Sequence, residues 1–462
     1  MKTPNMLDAK KRNQNDIKYV KYDKEFDKFG KDKKFFVRTY GCQMNTAESN
    51  AIEIILKGRG LECTDNPNLA DAVIINTCSV RKTAENRIWG RLGFYHAIKK
   101  KRNLILIVTG CMASRMRDEL KKEAPFVDYV ATNDEKDKIA DFILNGSVEE
   151  KSSYNFLTSY YKEGEFSSYV PIMNGCNNFC SYCIVPYVRG REISRDTLSI
   201  INEVKFLDSK GVKEITLLGQ NVNSYHSTYM GKDVDFPTLL ELITPYMNNI
   251  IFVRFESPHP KDFSSHLIDV IATNEKVAKH IHLPMQSGSS RILELMNRHT
   301  TREKFIALVE DMYSRIPSLT LSTDVIVGFP SETEEEYEET LSMMDIMNCS
   351  EAFMYYYNPR EGTRAEKMDK QIDERTKTAR LERLINEQLE RQKVIRENAL
   401  PIKRREAIIT SLSRDDKERY LARDEHNYYY SFSPIKNHNI GDRVFIDANE
   451  LSGNTFRGVE IE

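Results

Sequence analysis

The chain lacks a charge excess. Its 67 Lys and Arg against 69 Asp and Glu, in 462 residues, leave a formal net charge of −2. Bulk electrostatics therefore gives no argument for a nucleic-acid partner, and any RNA-binding surface must come from local segregation of Lys and Arg. Long apolar runs are missing too. No stretch approaches the roughly 20 residues that cross a bilayer, and the amino-terminal end has no apolar core of a secretion signal. This excludes a membrane partner and points to the cytoplasm, where eight cysteines argue for metal or redox chemistry over disulfides. The third absence is a fourth ligand. Cys176, Cys180 and Cys183 form a C-x3-C-x2-C run with no second Cys or His pair nearby. A zinc site pairs C-x2-C with such a second pair. A four-iron cluster takes four ligands, so three thiolates in one loop leave one iron open for another molecule.

The length suits two or three domains. Residues 1–33 are polar and locally basic (Lys10-Lys11-Arg12) and read as a disordered, solvated leader. Residues 34–148 alternate apolar runs with helical stretches. The runs are 35–39, 72–76, 104–108 and a weaker fourth at 127–130, and this pattern predicts an open parallel-sheet α/β domain covered on both faces. Residues 149–166 read as a polar linker. Residues 167–398 carry a second βα series, with strands expected at 169–173, 214–218, 250–254, 280–283, 319–327 and 352–356. Six strands suit a partial (β/α)6 barrel better than a closed eight-fold one, and sites in such barrels lie at the carboxyl ends of the strands. The three-Cys loop follows the first of them. A charged helix over 373–398, with Leu381, Leu384, Ile385 and Leu389 as its apolar stripe, reads as a solvated connector. After Pro401, short runs at 407–409, 428–432, 443–446 and 456–459 predict a small antiparallel β-barrel over 401–462.

Cys42, Cys78 and Cys111 are far apart in sequence, yet each directly follows one of the first three expected strands. In an open parallel sheet the carboxyl ends form one rim, where ligands bind. Three thiols there can converge on one metal centre. Gly41 and Gly110, each just before a cysteine, would let backbone approach a cluster closely. Cys63 and Cys349 lack such placement and read as small buried hydrophobes.

The three-Cys loop, with Tyr182 before its last cysteine, resembles the signature of the radical S-adenosylmethionine (SAM) enzymes, in which the open iron chelates SAM. From Lys34 onward the chain resembles the methylthiotransferases within that class. The resemblance is carried by Thr39-Tyr40-Gly41-Cys42-Gln43-Met44-Asn45, the segment from Gly175 to Arg191, Leu217-Leu218-Gly219-Gln220-Asn221-Val222-Asn223-Ser224-Tyr225, His282-Leu283-Pro284-Met285-Gln286-Ser287-Gly288-Ser289, Met296-Asn297-Arg298, and residues 322–330. Gln-Met-Asn after the first cysteine is similar to the branch that acts on N6-dimethylallyladenosine at position 37 of tRNA. The resemblance implies two 4Fe–4S clusters. Cys176, Cys180 and Cys183 would hold the SAM-cleaving one, and Cys42, Cys78 and Cys111 an auxiliary one that carries sulfur. It implies two SAM per product, one donating methyl and one yielding a 5′-deoxyadenosyl radical. It also implies tRNA, an electron donor such as flavodoxin or ferredoxin, and a sulfur donor as partners. The last domain resembles the small TRAM RNA-binding barrel of this family, but with Ala422-Arg423-Asp424-Glu425-His426-Asn427 where the family has Gly-Arg-Thr and a later Asn. Arg423 and Asn427 remain as RNA contacts, in an acidic neighbourhood that implies a weak or differently placed grip on phosphates.

Tyr182, Gln220, Gln286, Arg298 and Asp324 are candidate SAM contacts. His259 and His282 read as ordinary loop or core histidines. Two rival functions stay open: the same chemistry on threonylcarbamoyladenosine or a ribosomal protein, and a non-enzymatic iron–sulfur RNA-binding protein.

Overall fold

The computed structural model describes residues 32–79, 82–148, 154–157, 159–414 and 416–462. Most of the expected leader, residues 1–31, lies outside the described residues, as do 149–153 of the expected linker.

The first sheet contains β1 (Lys34–Thr39), β2 (Glu62–Cys63), β3 (Ala72–Thr77), β4 (Ile105–Gly110) and β5 (Tyr129–Ala131), in the order β2-β1-β3-β4-β5. All pairings are parallel. Every residue of the central strand β3 is buried. Its side chains alternate between two cores. Ala72 and Ile74 face helices Gln43–Gly58 and Ile139–Asn145, while Val73 and Ile75 join the core that contains Leu92, Leu120 and Met112. This is why β3 reads as an uninterrupted apolar run. The edge strand β2 is not expected from sequence, because two residues carry no periodicity.

The central domain has the six expected parallel strands: β6 (Ser167–Pro171), β9 (Glu214–Leu218), β12 (Phe252–Phe255), β13 (His280–His282), β14 (Thr320–Val327) and β15 (Glu351–Tyr356). They form two three-stranded halves, β12-β9-β6 and β13-β14-β15, and a parallel bridge between Val253 and Val277 lies at their junction. β6 and β15 are the free edges of this partial barrel. Two short antiparallel pairs decorate it: β7 (Met173–Asn174) with β8 (Ile193–Ser194), and β10 (His226–Tyr229) with β11 (Lys232–Asp235). The charged helix spans Glu374–Asn398, with the Asp373 side chain as its N-cap. Leu384 and Gln388 are buried in it, so this expected connector is part of the barrel's cover.

The described part of the expected polar linker is a packed seam. Tyr154, Phe156, Leu157, Tyr160 and Tyr161 are buried. Adjacent Tyr160 and Tyr161 belong to different cores, that of the first sheet and that of the barrel. Aromatic side chains scattered among polar neighbours give no period, so sequence alone suggests solvent.

The last domain is a closed five-stranded barrel: β16 (Ile402–Leu412), β17 (Tyr420–Asp424), β18 (Tyr429–Ser433), β19 (Arg443–Ser452) and β20 (Thr455–Ile461), in the order β16-β17-β18-β20-β19. Four pairings are antiparallel, but β18 and β20 run parallel. A ring with an odd number of strands cannot alternate direction throughout, so the expected small antiparallel barrel carries one parallel seam. β17 is also not foreseen, since its Tyr-Leu-Ala-Arg-Asp run does not alternate cleanly. This barrel docks on the central one through polar contacts. Arg254 holds Glu214 at 2.6 Å and donates to the carbonyls of Asp424 at 2.5 Å and Glu425 at 3.2 Å, while Arg423 also pairs with Glu214.

The first and central domains are joined by buried charge. Glu48, on the helix that follows Cys42, accepts from Arg189 Nη1 at 2.9 Å and Nη2 at 3.3 Å and pairs with Lys136. All three are nearly inaccessible: Glu48 2 %, Arg189 5 % and Lys136 5 % exposed. Burial pushes the Glu48 carboxyl up. The charges and hydrogen bonds of Arg189 and Lys136 outweigh this and hold it at about 2, against an ordinary 4.5. Because the native value is depressed, this contribution to stability is complete above pH 4.5 and is lost as pH falls toward about 2. Glu48→Gln leaves two buried cations without their anion and is expected to cost about 3–5 kcal/mol. It should also flatten the acid limb of the stability curve, as read by urea unfolding across pH; an acid limb equal to wild type would contradict this assignment.

Candidate functional site

The three cysteines of the first domain stand where strand ends place them. Cys42 is the N-cap of helix Gln43–Gly58, Cys78 follows β3, and Cys111 opens helix Cys111–Arg115 directly after β4. The two glycines sit where neighbouring strand ends come closest. Gly110 has φ +94°, and a Cβ there would lie 2.3 Å from the Thr77 carbonyl oxygen; a Cβ on Gly41 would lie 3.0 Å from the Cys78 Cβ. They let neighbouring strand ends approach each other, and so bring the cysteines to one rim. Asn45 fastens that rim, its Nδ2 donating to the carbonyls of Tyr40 at 3.0 Å and Thr77 at 2.9 Å.

The second set sits on the loop after β6 and β7, at the carboxyl end of the barrel. The loop is clamped from several sides. Asn297 Nδ2 donates to the carbonyls of Asn178 at 2.9 Å and Phe179 at 3.1 Å, the Ser181 amide donates to the Met296 carbonyl at 2.9 Å, and the Ala365 amide donates to the Ser181 carbonyl at 2.8 Å. Arg298 donates from Nη2 to the Pro284 carbonyl at 2.8 Å and places Nη1 3.6 Å from Cys180 Sγ. Burial pushes the Cys176 thiol up to about 12 and raises Cys183 as well. Bare, these are neutral thiols, so metal binding here must release protons.

The two sets face each other. All six cysteines line a single cavity of about 260 Å³, together with Gln220, Tyr182, Arg298, Glu256 and His259. Among the described residues no group of three or more His, Cys, Asp or Glu is disposed to hold a single metal ion. Ligands of a polynuclear cluster each bind a different iron, so their sulfurs stand wider apart than the ligands of one ion. Six thiols in two sets of three around one cavity are a donor set that fits iron–sulfur clusters.

Of the expected SAM contacts, Tyr182, Gln220 and Arg298 reach this cavity. Gln220 Oε1 accepts the Gly175 amide at 2.6 Å, which props the cysteine loop. Gln286 and Asp324 do not line it. The Gln286 amide donates to the Asp324 carbonyl at 2.8 Å, and Asp324 Oδ2 pairs with His282 Nε2 at 3.3 Å. Burial pulls His282 down, but this bond and the Asp324 charge win and raise it. His259 also lines the cavity; its ring Nδ1 caps the Lys261 amide at 3.3 Å, and burial drives its pKa far down.

A larger cleft of about 830 Å³ adjoins the cavity and shares Cys42, Gln43, Cys78, Glu256 and Ser257 with it. It runs along the inner face of the open barrel to Arg423 and Asn427 of the small barrel. Arg423 spends part of its charge on Glu214, and its Nη1 lies 3.4 Å from Asn427 Oδ1. Sequence reasoning misses Arg189, Asn45, Glu48 and Asn133. Asn133 Nδ2 donates to the Val188 carbonyl at 2.9 Å and lies 3.9 Å from Cys111 Sγ, tying one cysteine set to the other's loop. The available signal is polar residues on the buried face of an otherwise apolar helix.

Two family models match the chain. Residues 34–132 match the family described as "Uncharacterized protein family UPF0004", and residues 170–344 match the radical SAM superfamily. In fold, the chain is similar to a radical S-adenosylmethionine methyltransferase, TsrM, from Kitasatospora setae, solved with cobalamin and a [4Fe-4S] cluster bound. That likeness has a TM-score of 0.55 at 13 % identity, over 72 % of this chain and 74 % of that one. In sequence, it is 42 % identical over 450 residues to the tRNA-2-methylthio-N(6)-dimethylallyladenosine synthase of Treponema pallidum (strain Nichols), covering 92 % of this chain and 98 % of that protein. It is 43 % identical over 444 residues to the synthase of the same name from Phocaeicola vulgatus, covering 93 % and 96 %. A likeness of that depth along nearly the whole length of both partners means that this chain belongs to the tRNA-2-methylthio-N(6)-dimethylallyladenosine synthase family.

Proposed function

We propose that this protein attaches a methylthio group at C2 of N6-dimethylallyladenosine in tRNA, as a radical SAM methylthiotransferase. The observation that carries the reading is the convergence of two cysteine triplets, one from each α/β domain, on one cavity that opens into a cleft reaching the small barrel. Relatives of the dimethylallyladenosine branch support this substrate over threonylcarbamoyladenosine or a ribosomal protein. The same relatives weigh against a non-enzymatic iron–sulfur protein.

Cys176, Cys180 and Cys183 would hold one 4Fe–4S cluster with an iron left open for SAM, and Cys42, Cys78 and Cys111 would hold the auxiliary one. When bound, the first cluster would supply the electron that frees a 5′-deoxyadenosyl radical from SAM, able to attack an unactivated adenine C–H, and the auxiliary cluster with a second SAM would supply the sulfur and methyl that replace the hydrogen. The protein's own part is positional. Arg298 and Gln220 fix the cysteine loop. Tyr182 walls the cavity, and the Glu48–Arg189 pair sets the spacing of the two rims. A target base must leave its stack to reach the cavity, and the cleft provides the route. Arg423 and Asn427 are its RNA contacts at the far end. Gln286 and Asp324 would act at one remove from SAM, since they brace the barrel wall. An electron donor such as flavodoxin or ferredoxin and a sulfur donor complete the reaction, and tRNA as substrate favours the cytoplasm. No described helix is long and apolar enough to cross a membrane.

Anaerobically reconstituted protein is expected to hold about eight irons in two cubes. Replacing either cysteine triplet with Ala should remove about half, by iron and sulfide analysis; full iron after loss of Cys42, Cys78 and Cys111 would overturn the strand-end assignment. The triplets also divide by role. Cys180→Ala should abolish reductive SAM cleavage. Cys78→Ala should still form 5′-deoxyadenosine and yield no methylthio nucleoside by mass spectrometry of tRNA digests. Methylthio product from Cys78→Ala would reject the auxiliary site.

A further inference from the structure

The edge strand β15 breaks the rule of its own alternation. Ala352, Met354 and Tyr356 pack on the barrel core, as the covered face of a strand should. The opposite face should then be polar, yet beside Glu351 it carries two exposed rings: Phe353 is 43 % exposed and Tyr355 36 % exposed. Both line the 830 Å³ cleft. Across it, β18 of the small barrel repeats the pattern, with Tyr430 fully buried and its neighbour Tyr429 37 % exposed and lining the same cleft. Three partly exposed aromatic rings from two domains thus share one concave surface, Phe353 also meeting the His282 ring edge-on at 5.8 Å between centroids.

The charge of the cleft limits what they meet. Its arginines, Arg87, Arg254 and Arg423, are matched by Glu214, Glu256 and Glu351. Glu214 already engages both Arg254 and Arg423. A surface that grips a phosphate backbone carries a cation surplus, and this one has none. Exposed rings without surplus cation suit the uncharged face of an unstacked nucleobase, which stacks on aromatics with little sequence preference. At its other end the cleft is bounded by Cys42 and Cys78, so bases held along it lie beside the cysteine cavity.

We propose that Phe353, Tyr355 and Tyr429 form a base-stacking platform that holds the unpaired nucleotides flanking the target adenosine, feeding that one base to the cysteine cavity. This rests on the tRNA reading above. It assigns loop recognition to stacking on the inner face of β15 and on the small barrel, with phosphate contacts secondary.

The test uses the full-length, iron-loaded protein and a synthetic RNA hairpin with 2-aminopurine beside the target adenosine, against a fully duplexed RNA of the same sequence. Stacking quenches 2-aminopurine. Wild type should bind the hairpin in preference to the duplex and quench the probe. Phe353→Ala and Tyr355→Ala should each weaken hairpin binding by at least about 5-fold and relieve quenching, while leaving the slope of affinity against salt unchanged, because no phosphate contact is lost. Phe353→Leu keeps apolar bulk without a π face and should behave like Phe353→Ala; Phe353→Tyr should behave like wild type. Iron content and thermal midpoint are read alongside, and the Leu and Tyr variants decide if the Ala forms fold poorly. Wild-type affinity and quenching in Phe353→Leu would overturn the platform while leaving the tRNA reading intact. No preference of the wild type for the hairpin would overturn both. Concentration-dependent self-association, abolished by the same variants with hairpin binding unaffected, would assign the surface to a second copy of the chain instead.

Discussion

Two cations and one carboxylate, sealed between two domains, hold the geometry on which everything else depends. Glu48 comes from the helix that Cys42 starts, and Arg189 from the short helix Val185–Arg189 that follows the cysteine loop. Their bidentate contact therefore connects the two cysteine sets through a few residues on either side. Arg189 Nη2 also reaches Asn45 Oδ1 at 3.3 Å, and Nη1 reaches Asn174 Oδ1 at 3.0 Å, so the guanidinium is held from both domains. Such a network is a poor source of net stability, because desolvating three charges costs about what their attraction returns. It is a good source of register: a slip between the domains strands a buried charge. Arg189 also lines the cavity that the six cysteines share, Cys42 and Cys111 among them. The cationic excess is thus placed beside the residues expected to carry negative charge as thiolates.

The central barrel follows the same logic of placement over bulk. Six strands do not close, so its inner face stays open rather than filling with side chains as an eight-stranded barrel does. That face carries the His280–Ser322–His282 hydrogen bonds, the Glu214–Arg254 pair and the exposed aromatics of β15. The small barrel docks through Arg254, Arg423 and the Thr320–His426 bond at 2.8 Å, which makes its β17–β18 edge one wall of the cleft. Three domains thereby contribute to one continuous space.

Much of this is legible in the sequence because it is local. β3 and β9 are apolar runs bounded by turn residues, and they lie within a residue of where periodicity puts them. Both cysteine sets are legible, one by spacing and one by its place after successive strands. What escapes depends on contacts between distant residues. Glu48 and Arg189 are 141 positions apart, and nothing near either announces the other. Tyr160 and Tyr161 read as linker because each packs on a different domain. Gln286 and Asp324 sit at strand ends, and what spacing does not show is that the Gln286 amide bonds the Asp324 carbonyl and the Asp324 carboxylate pairs with His282. Arg423 survives as a motif residue, but Glu214 claims it, a partner 209 positions away.

Two cysteine triplets that face each other across one cavity are the centre of this picture. Electron paramagnetic resonance of the reconstituted, dithionite-reduced protein probes that arrangement without relying on turnover. Two reduced clusters at such close quarters should give a spectrum broadened by spin–spin coupling, and removing either cysteine triplet should collapse it to one uncoupled signal. A wild-type spectrum equal to the simple sum of the two triplet-variant spectra would mean that the sets do not share a cavity, and would contradict the arrangement.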